Sequence, residues 1–327
     1  MKATLSRIAK EAGCSAVTVH KALTNQSGVS AELKNSIITI ANRMGYNPPV
    51  DTGKNSNANF IYLVDKEYLL KPGEQFYTAI YFYLNEMCMK DNSKLSLLAS
   101  NDPETTIAYF NTLAETKKVD GIFVGGQIDQ EILRYIDGKK IKTVCIDFYS
   151  SDYAFDYVYV DNYYSGYLLA KYLIQKGHTK IGYVGNIKIS NSIADRYFGY
   201  RRALNKYNIE FNKKYSHPFS QYHDIKVDLN DLPTAYICHC DKTAEYMYQY
   251  FDAKNIKIND QVSIISFDNT DICETLRPKL TSFGISKEEY SKTAYKLMLQ
   301  KIKSIDQSSN YIKIDLKLFE RDSVKVL

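Results

Sequence analysis

The segment SAVTVHK, near the start of the chain, combines side chains that can contact duplex DNA. A lysine can donate to O6 or N7 of guanine, and small apolar side chains can contact a thymine methyl group. Hydroxyl and imidazole groups suit hydrogen bonds to phosphates or base edges. The predicted DNA-contacting residues are Ser15, Ala16, Val17, Thr18, His20, Lys21 and Thr24.

Three short helices are predicted to hold this segment. Gly13 ends the first helix, Ser15 caps the second, and Ser30 caps a third that ends at Gly45. The apolar residues that fall at helical spacing on the inner faces are Leu5, Ile8, Ala9, Ala12, Val19, Ala22, Leu23, Leu33, Ile37, Ile40, Ala41 and Met44. This pattern is typical of a helix-turn-helix domain whose second helix enters a major groove. A small helical protein-interaction domain is the alternative.

Positive charge is concentrated in the same part of the chain. The first fifty residues carry six Lys or Arg against two Asp or Glu, whereas the rest carries thirty-six against thirty-five. A basic module on a nearly neutral body is typical of a nucleic-acid-binding protein, although a solvated charged surface looks the same in composition.

The whole N-terminal segment, from IAKEAGCSAVTVHKALTN to MGYNP, resembles the headpiece of the lactose-repressor (LacI/GalR) family of bacterial transcription regulators. The resemblance implies that the positions of Ala16, Val17 and Lys21 make the main base contacts. Lys21 replaces the arginine that is usual in the family, and His20 replaces a serine. We therefore expect an operator sequence different from the commonest family sites.

The linker that follows, PVDTGKNSNANF, departs from the family pattern. In the family this segment is a hinge helix that pushes a leucine into the minor groove and kinks the DNA. Here Asn55 stands where that leucine is expected, among residues with poor helix propensity. We predict a flexible tether and an operator that is bent less than usual.

The remainder of the chain alternates between apolar strand segments and helical segments. One series runs through FIYLVD, KLSLLAS, VDGIFVGG and IKTVCID, and a second through YVYVD, KIGYVG, TAYICHC and QVSIISFD. A last strand is predicted near residues 312–319. Alternating strands and helices predict parallel sheets covered on both faces, here in two Rossmann-like lobes with a cleft at the carboxyl ends of the strands.

This region resembles the effector domain of the same family, which has the type I periplasmic-binding-protein fold. The resemblance implies that Arg196 in ADRYFGY clamps a ligand and that Asp268 in SFDN accepts from ligand hydroxyls. The remaining implied effector contacts are Phe76, Tyr77, Asp147, Cys240 and Asp241. Aromatic rings can pack against the C–H face of a sugar, and charged side chains with two hydrogen-bonding atoms can bind its paired hydroxyls. Ion pairs and helix caps are the structural alternative for each charged residue.

The chain lacks the sequence patterns of a metal site or of the common catalytic motifs. In CHCD, from Cys238 to Asp241, a continuous strand would place the two cysteines on one face and His239 on the other, which does not favour a metal site. The chain contains no phosphate loop, dinucleotide fingerprint or nucleophile elbow. We therefore expect no metal, no cofactor and no enzyme activity. We see no signal peptide and no apolar run long enough to span a membrane, so we expect a cytoplasmic, nucleoid-associated bacterial protein.

Together these features predict a helix-turn-helix headpiece at 1–48, an atypical linker at 49–58 and a two-lobed α/β effector-binding and dimerisation domain at 59–327. The predicted function is a transcriptional repressor controlled by a sugar or sugar derivative. An activator or a corepressor-dependent regulator is the first alternative. An enzyme or a solute-binding protein with a DNA-binding appendage is the second. The expected partners are a near-palindromic double-stranded operator, a small-molecule effector and a second copy of the chain, with a tetramer as the alternative to a homodimer.

Overall fold

A computed structural model describes residues 4–23, 28–44, 57–70, 76–116, 119–217, 226–303 and 308–327. The chain divides into two compact units, Met1–Ser56 and Asn57–Leu327. Thr24, the expected helix stop at Gly45 and the linker around Asn55 lie outside the described residues. Within the described ranges, no helix combines the length and the apolar character needed to cross a membrane.

The first unit contains three helices that begin where the sequence indicates, and the first of them also ends at the predicted glycine. They are α1 (Leu5–Ala12), α2 (Ala16–Leu23) and α3 (Ala31–Arg43). Gly13 ends α1 in the left-handed conformation at φ 65°, and its N–H donates to the Ala9 carbonyl. Ser15 Oγ accepts from the Thr18 N–H at 3.0 Å, which is the N-cap predicted for α2.

The inner faces of these helices form one small core. Its buried members are Ile8, Ala9, Val19, Ala22, Ile37 and Ala41. All six were predicted from helical spacing, and each helix contributes two of them. The compact three-helix arrangement is therefore confirmed, and it fixes which side of α2 faces outward.

The second unit alternates strands and helices almost throughout. Its strands are β1 (Asn59–Asp65), β2 (Lys94–Ser100), β3 (Gly121–Gly125), β4 (Thr143–Ile146), β5 (Asp156–Tyr159), β6 (Ile181–Val184), β7 (Ser216–His217), β8 (Ala235–Cys238), β9 (Ser263–Asp268), β10 (Thr281–Gly284), β11 (Tyr311–Lys313) and β12 (Lys317–Phe319). Its helices are α4 (Glu67–Leu70), α5 (Phe76–Lys90), α6 (Pro103–Thr116), α7 (Gln130–Gly138), α8 (Asn162–Gln175), α9 (Asn191–Lys206), α10 (Asp241–Asp252), α11 (Ile272–Thr275) and α12 (Lys287–Lys303).

These strands form two sheets, one in each lobe. Among the described residues the first has the order β11-β5-β4-β3-β1-β2 and the second the order β12-β10-β9-β8-β6-β7. All pairs are parallel except β10 with β12. The two-lobed α/β architecture predicted from the alternating pattern is confirmed.

The chain crosses between the lobes after β5, after β10 and between β11 and β12. The prediction of one continuous last strand near 312–319 was therefore wrong. Tyr311–Lys313 pairs with β5 in the first sheet, and Lys317–Phe319 pairs with β10 in the second. Residues 311–319 are mostly apolar or basic and contain no glycine or proline where the chain changes sheet. Periodicity alone therefore could not separate the two strands.

Tyrosine supplies much of the core of both lobes. Tyr62, Tyr157, Tyr183, Tyr200 and Tyr236 are among the largest fully buried side chains. Their hydroxyls find acceptors, as when the Tyr200 hydroxyl donates to the Ile181 carbonyl at 2.8 Å. The hydroxyl of a buried tyrosine usually has a hydrogen-bond partner. The Tyr200 bond holds α9 against the first residue of β6.

Candidate functional site

The outward face of α2 presents the side chains predicted to contact DNA. Val17 is 64% exposed, and Ser15 and His20 are also exposed. Ala16, Thr18 and Lys21 are partly exposed, in contrast to the buried inner residues of the same helix. The mixed apolar and polar character expected of a groove-reading surface is therefore present on α2.

Ser15 and Thr18 also have a structural task. Besides the N-cap bond, their hydroxyl oxygens lie 2.8 Å apart and share a hydrogen bond. This pair sets the first turn of α2, where base-reading helices present their contacts. Each hydroxyl keeps lone pairs that a further donor can use.

In the second unit, two aspartates lie at the carboxyl ends of central strands. Asp147 directly follows β4 and Asp268 ends β9, one in each lobe. Their φ angles are 72° and 105°, in a region that non-glycine residues avoid. Such strain at strand ends is typical of sites where a side chain must be held in one direction.

Asp147 is held by the first lobe. The Tyr77 hydroxyl donates to its Oδ2 at 2.8 Å, and the Tyr290 hydroxyl lies 3.5 Å from its Oδ1. Tyr68 stacks on Tyr77 with ring centroids 4.8 Å apart, and Phe76 packs edge-on against Tyr77 at 5.1 Å. The first lobe therefore surrounds a carboxylate with aromatic rings.

Burial raises the pKa of the Asp147 carboxyl, and the hydrogen bond from Tyr77 and the charge of Arg196 oppose that rise. Burial likewise raises the pKa of the Tyr77 hydroxyl, to which the nearby Asp147 charge adds. Tyr77 therefore stays a hydrogen-bond donor to Asp147 at neutral pH.

Arg196, on α9 in the second lobe, is buried with only neutral hydrogen-bond partners among the described residues. Its Nε donates to Asn162 Oδ1 at 2.8 Å and its Nη1 to the His239 carbonyl at 2.6 Å. Its guanidinium carbon lies 3.6 Å from the centroid of the Phe267 ring. These contacts fix the plane of the guanidinium, and two of its five N–H donors suffice for them.

Arg196 acts electrostatically on both aspartates. Burial raises the pKa of the Asp268 carboxyl well above its ordinary range, and the charges of Arg196 and Lys287 oppose this. The charge of Arg196 thus lowers the pKa values of the carboxyl groups at the strand ends of both lobes, Asp147 after β4 and Asp268 at the end of β9.

Asp241 differs from the other predicted carboxylates. It is fully buried, and its Oδ1 accepts from Ser266 and Ser282. Its Oδ2 accepts from both the N–H and the hydroxyl of Thr270. Since a carboxylate has about four acceptor positions, all are used within the protein. The geometry favours a role in holding the Thr270 turn over direct ligand contact.

Cys240 follows His239, whose carbonyl accepts from Arg196, but the strand predicted to carry Cys240 is shorter than expected. β8 ends at Cys238, and Cys240 is the residue before α10. The prediction that Cys238 and Cys240 share a strand face was therefore wrong, because the chain turns at His239. Cys240 Sγ lies 3.4 Å from the Thr243 hydroxyl and 3.5 Å from His239 Nε2.

Sequence reasoning missed Asn162, Tyr68, Lys287 and Tyr290. Asn162 follows β5 by three residues and Tyr68 follows β1 by three, so the same strand-end rule would have found both. Tyr290 lies on α12, and only the packing of that helix against the first lobe places it beside Asp147. Within the part of the chain that the structure describes, no group of three or more His, Cys, Asp or Glu residues could hold a metal ion.

Comparison with known proteins matches both units. Residues 4–49 match the family described as bacterial regulatory proteins, lacI family, and residues 170–324 match the periplasmic binding protein-like domain. The chain is 25% identical over 338 residues to the HTH-type transcriptional repressor PurR of Vibrio atlanticus, with 99% of both chains covered.

Solved structures show the same fold. A LacI family regulator from Enterococcus faecium with bound ribose has a TM-score of 0.71 at 21% identity, over 82% of this chain and 99% of that one. The complex of the regulator CelR with cellobiose has a TM-score of 0.69 at 16% identity, over 98% of this chain and 100% of that one. The chain thus combines a helix-turn-helix domain of the lacI family of bacterial regulatory proteins with a periplasmic binding protein-like domain.

Proposed function

We propose that this protein is a transcriptional repressor whose affinity for its operator is set by a small polyhydroxylated effector, a sugar or sugar derivative. The observation that carries the proposal is that Asp147 and Asp268 lie at strand ends in the two lobes, and the buried charge of Arg196 lowers the pKa of both carboxyl groups. The ribose and cellobiose bound by proteins of the same fold support this class of effector.

The three charged groups suit a ligand that is both donor and acceptor. Arg196 donates to ligand oxygens, while Asp147 and Asp268 accept from ligand hydroxyls. Phe76 and Tyr77 supply the aromatic surface on which the C–H face of a sugar ring packs. Cys240 is a further candidate contact, whereas Asp241 positions the Thr270 turn.

On the DNA side, α2 is the reading helix. Val17 and Ala16 contact thymine methyl groups, Lys21 donates to guanine, and the remaining predicted contacts (Ser15, Thr18, His20 and Thr24) bind phosphates or base edges. A homodimer presents two such helices to a near-palindromic operator in the cytoplasm of a bacterium.

The effector acts through coupled equilibria. A ligand that bridges Asp147 in one lobe and Asp268 in the other binds one lobe arrangement better than another, and this difference is all that it can transmit to DNA affinity. An activator or a corepressor-dependent regulator would use the same effector site and the same DNA-reading helix, but effector binding would change transcription in the opposite direction. The names of the relatives, which are repressors, favour repression.

The test has two steps with the full-length protein. Selection from a random oligonucleotide pool should yield a symmetric site. A thermal-shift screen of sugars and sugar phosphates should then give a ligand that stabilises the protein by about 2.7 kcal/mol at 100 times its Kd. Failure to select any preferred site with or without these compounds would contradict the proposal.

The control is Arg196→Met, which keeps an apolar stem beside Phe267 but removes the donors. It should abolish the thermal shift and leave operator affinity without effector unchanged. A normal titration of effector by this variant would show that the ligand binds elsewhere.

A further inference from the structure

Lys287, at the first residue of α12, forms a direct connection between the two lobes. Its ammonium donates to the carbonyl oxygens of Asp268 at 3.0 Å and Asn269 at 3.2 Å. Both acceptors belong to the turn that ends β9 in the second lobe. The connection reaches the same residue whose carboxylate we assign to effector binding.

The helix that carries Lys287 is fastened to the first lobe along its length. Ser291 Oγ donates to the Ile80 carbonyl of α5 at 3.4 Å, and the Tyr295 hydroxyl donates to Asp91. Near the other end of α12, Lys301 forms a buried ion pair with Asp156 of β5 at 3.0 Å. A movement of the first lobe therefore carries α12 with it.

The turn that Lys287 holds is conformationally strained. Asp268 and Asn269 have φ angles of 105° and 47°, both in the left-handed region. A non-glycine backbone keeps this shape only when its surroundings determine it. On the second-lobe side, the Asn269 N–H donates to Ser282 Oγ at 3.1 Å. On the first-lobe side, the Lys287 ammonium donates to the carbonyl oxygens of both residues.

One turn further along α12, Tyr290 lies beside Asp147. The first turn of α12 thus contacts both aspartates of the candidate site, Asp268 through its carbonyl and Asp147 through its carboxylate. A ligand that moves either carboxylate acts on a residue that α12 already holds.

We propose that Lys287 is a positioning residue. Its hydrogen bonds link the turn of Asp268 and Asn269 in the second lobe to α12 of the first lobe. Occupation of the effector site then changes the angle between the lobes through these bonds. The role of this link in regulation rests on the proposed function. The bond itself can be tested without an effector or an operator, so the two proposals can fail separately.

The test compares full-length wild type with Lys287→Met, which keeps the length of the side chain and removes its donors. Hydrogen exchange measured by mass spectrometry should be about fivefold or more faster in the peptide that contains residues 268–272, because local opening becomes easier when its contacts are lost. Spin labels on p-acetylphenylalanine at Lys139 and Lys254, exposed positions in the two lobes, should report a broader distance distribution. Labelled chain is diluted with excess unlabelled chain so that only distances within one chain are read.

Two matched variants serve as controls. Lys287→Arg restores donors and should return both readouts towards wild type. Lys292→Met removes an exposed lysine from the same helix, one that pairs only with Glu288 among the described residues, and should behave as wild type. Wild-type exchange and distances in Lys287→Met would overturn the proposal. So would failure of Lys287→Arg to restore them, or an equal effect from Lys292→Met.

Discussion

The carbonyl oxygen of Arg196 lies so close to Gly166 that a Cβ atom added to Gly166 would be 1.8 Å from it. The approach is reciprocal, since a Cβ atom on Gly199 would be 1.8 Å from the Tyr163 carbonyl. Two glycines thus allow α8 and α9 to touch through their backbones. This contact sets how closely α9, which carries Arg196, lies against α8.

Substitution of Gly166 by alanine should therefore disturb both stability and the site. No flexible side chain lies at the contact, so the helices must separate, and overpacking of this kind costs about 1–3 kcal/mol. Urea unfolding of Gly166→Ala should show this loss, and the variant should bind effector more weakly because Arg196 moves with α9.

The control is Gly138→Ala. Gly138 ends α7, where an added Cβ would meet nothing within 4 Å. Alanine there should be neutral or stabilise by up to about 1 kcal/mol, the helix-propensity difference. Equal losses in the two variants would show that the α8–α9 contact is not the cause.

A second prediction separates Asp241, which is buried, from Asp268, which is half-buried, in the second lobe. Asp241→Asn places an amide where the Thr270 N–H and hydroxyl need an acceptor, so we expect a loss of about 3 kcal/mol from unsatisfied buried donors. Asp268→Asn should leave the fold intact and weaken effector binding. Denaturant unfolding and effector titration of both variants check this prediction. If Asp241→Asn kept its full stability but lost effector binding, Asp241 would be a ligand contact and not a structural residue.

A third prediction concerns pH. Burial raises the folded-state pKa of Asp268 above its unfolded value, so the folded state binds the proton more tightly. The stability that the protonated carboxyl contributes is present at low pH and is lost as pH rises through the folded pKa. Asp268→Asn should therefore be more stable than wild type at pH 8, and the difference should shrink as pH falls to 5. A difference that is constant or grows on acidification, in unfolding measured across this range, contradicts the assignment.

A fourth prediction rests on His178, which is buried between the Thr234 hydroxyl at 2.9 Å and the Lys325 carbonyl at 3.1 Å. Burial lowers the pKa of its imidazole, so the neutral form is favoured in the folded state. Its contribution to stability is present above the unfolded pKa of about 6.5 and is lost as pH falls. His178→Gln should flatten the loss of stability between pH 7 and 5. A parallel pH profile in the two proteins would show that another group is responsible.

The sequence could place the candidate aspartates at strand ends because parallel strands end at one edge of a sheet. Asp147 and Asp268 follow apolar runs of recognisable strand type, and Arg196 belongs to a helix with clear periodicity. The sequence could not show that Asp241 has no acceptor position left, since its partners Ser266, Thr270 and Ser282 come from separate elements that only the fold brings together.

The headpiece was more predictable than the lobes for a physical reason. Its contacts are local, so spacing within each helix determines which residues are buried, as with Val19 and Ala22. In the lobes, Tyr290 reaches Asp147 over 143 residues of chain. Likewise, the change of sheet between Tyr311–Lys313 and Lys317–Phe319 depends on partners far away in the sequence.

The last prediction concerns Lys21 on the outward face of α2. If its ammonium reads a guanine, Lys21→Ala should cost about 1–3 kcal/mol on a selected operator and less on random DNA, because only the phosphate attraction is lost there. Lys10→Ala removes the same charge from the exposed end of α1 and should weaken binding to both DNAs equally. Gel-shift titrations at matched salt measure the four affinities. Equal losses on operator and random DNA for Lys21→Ala would assign Lys21 to the phosphate backbone, and the base reading would then fall to Val17, Ala16 and His20.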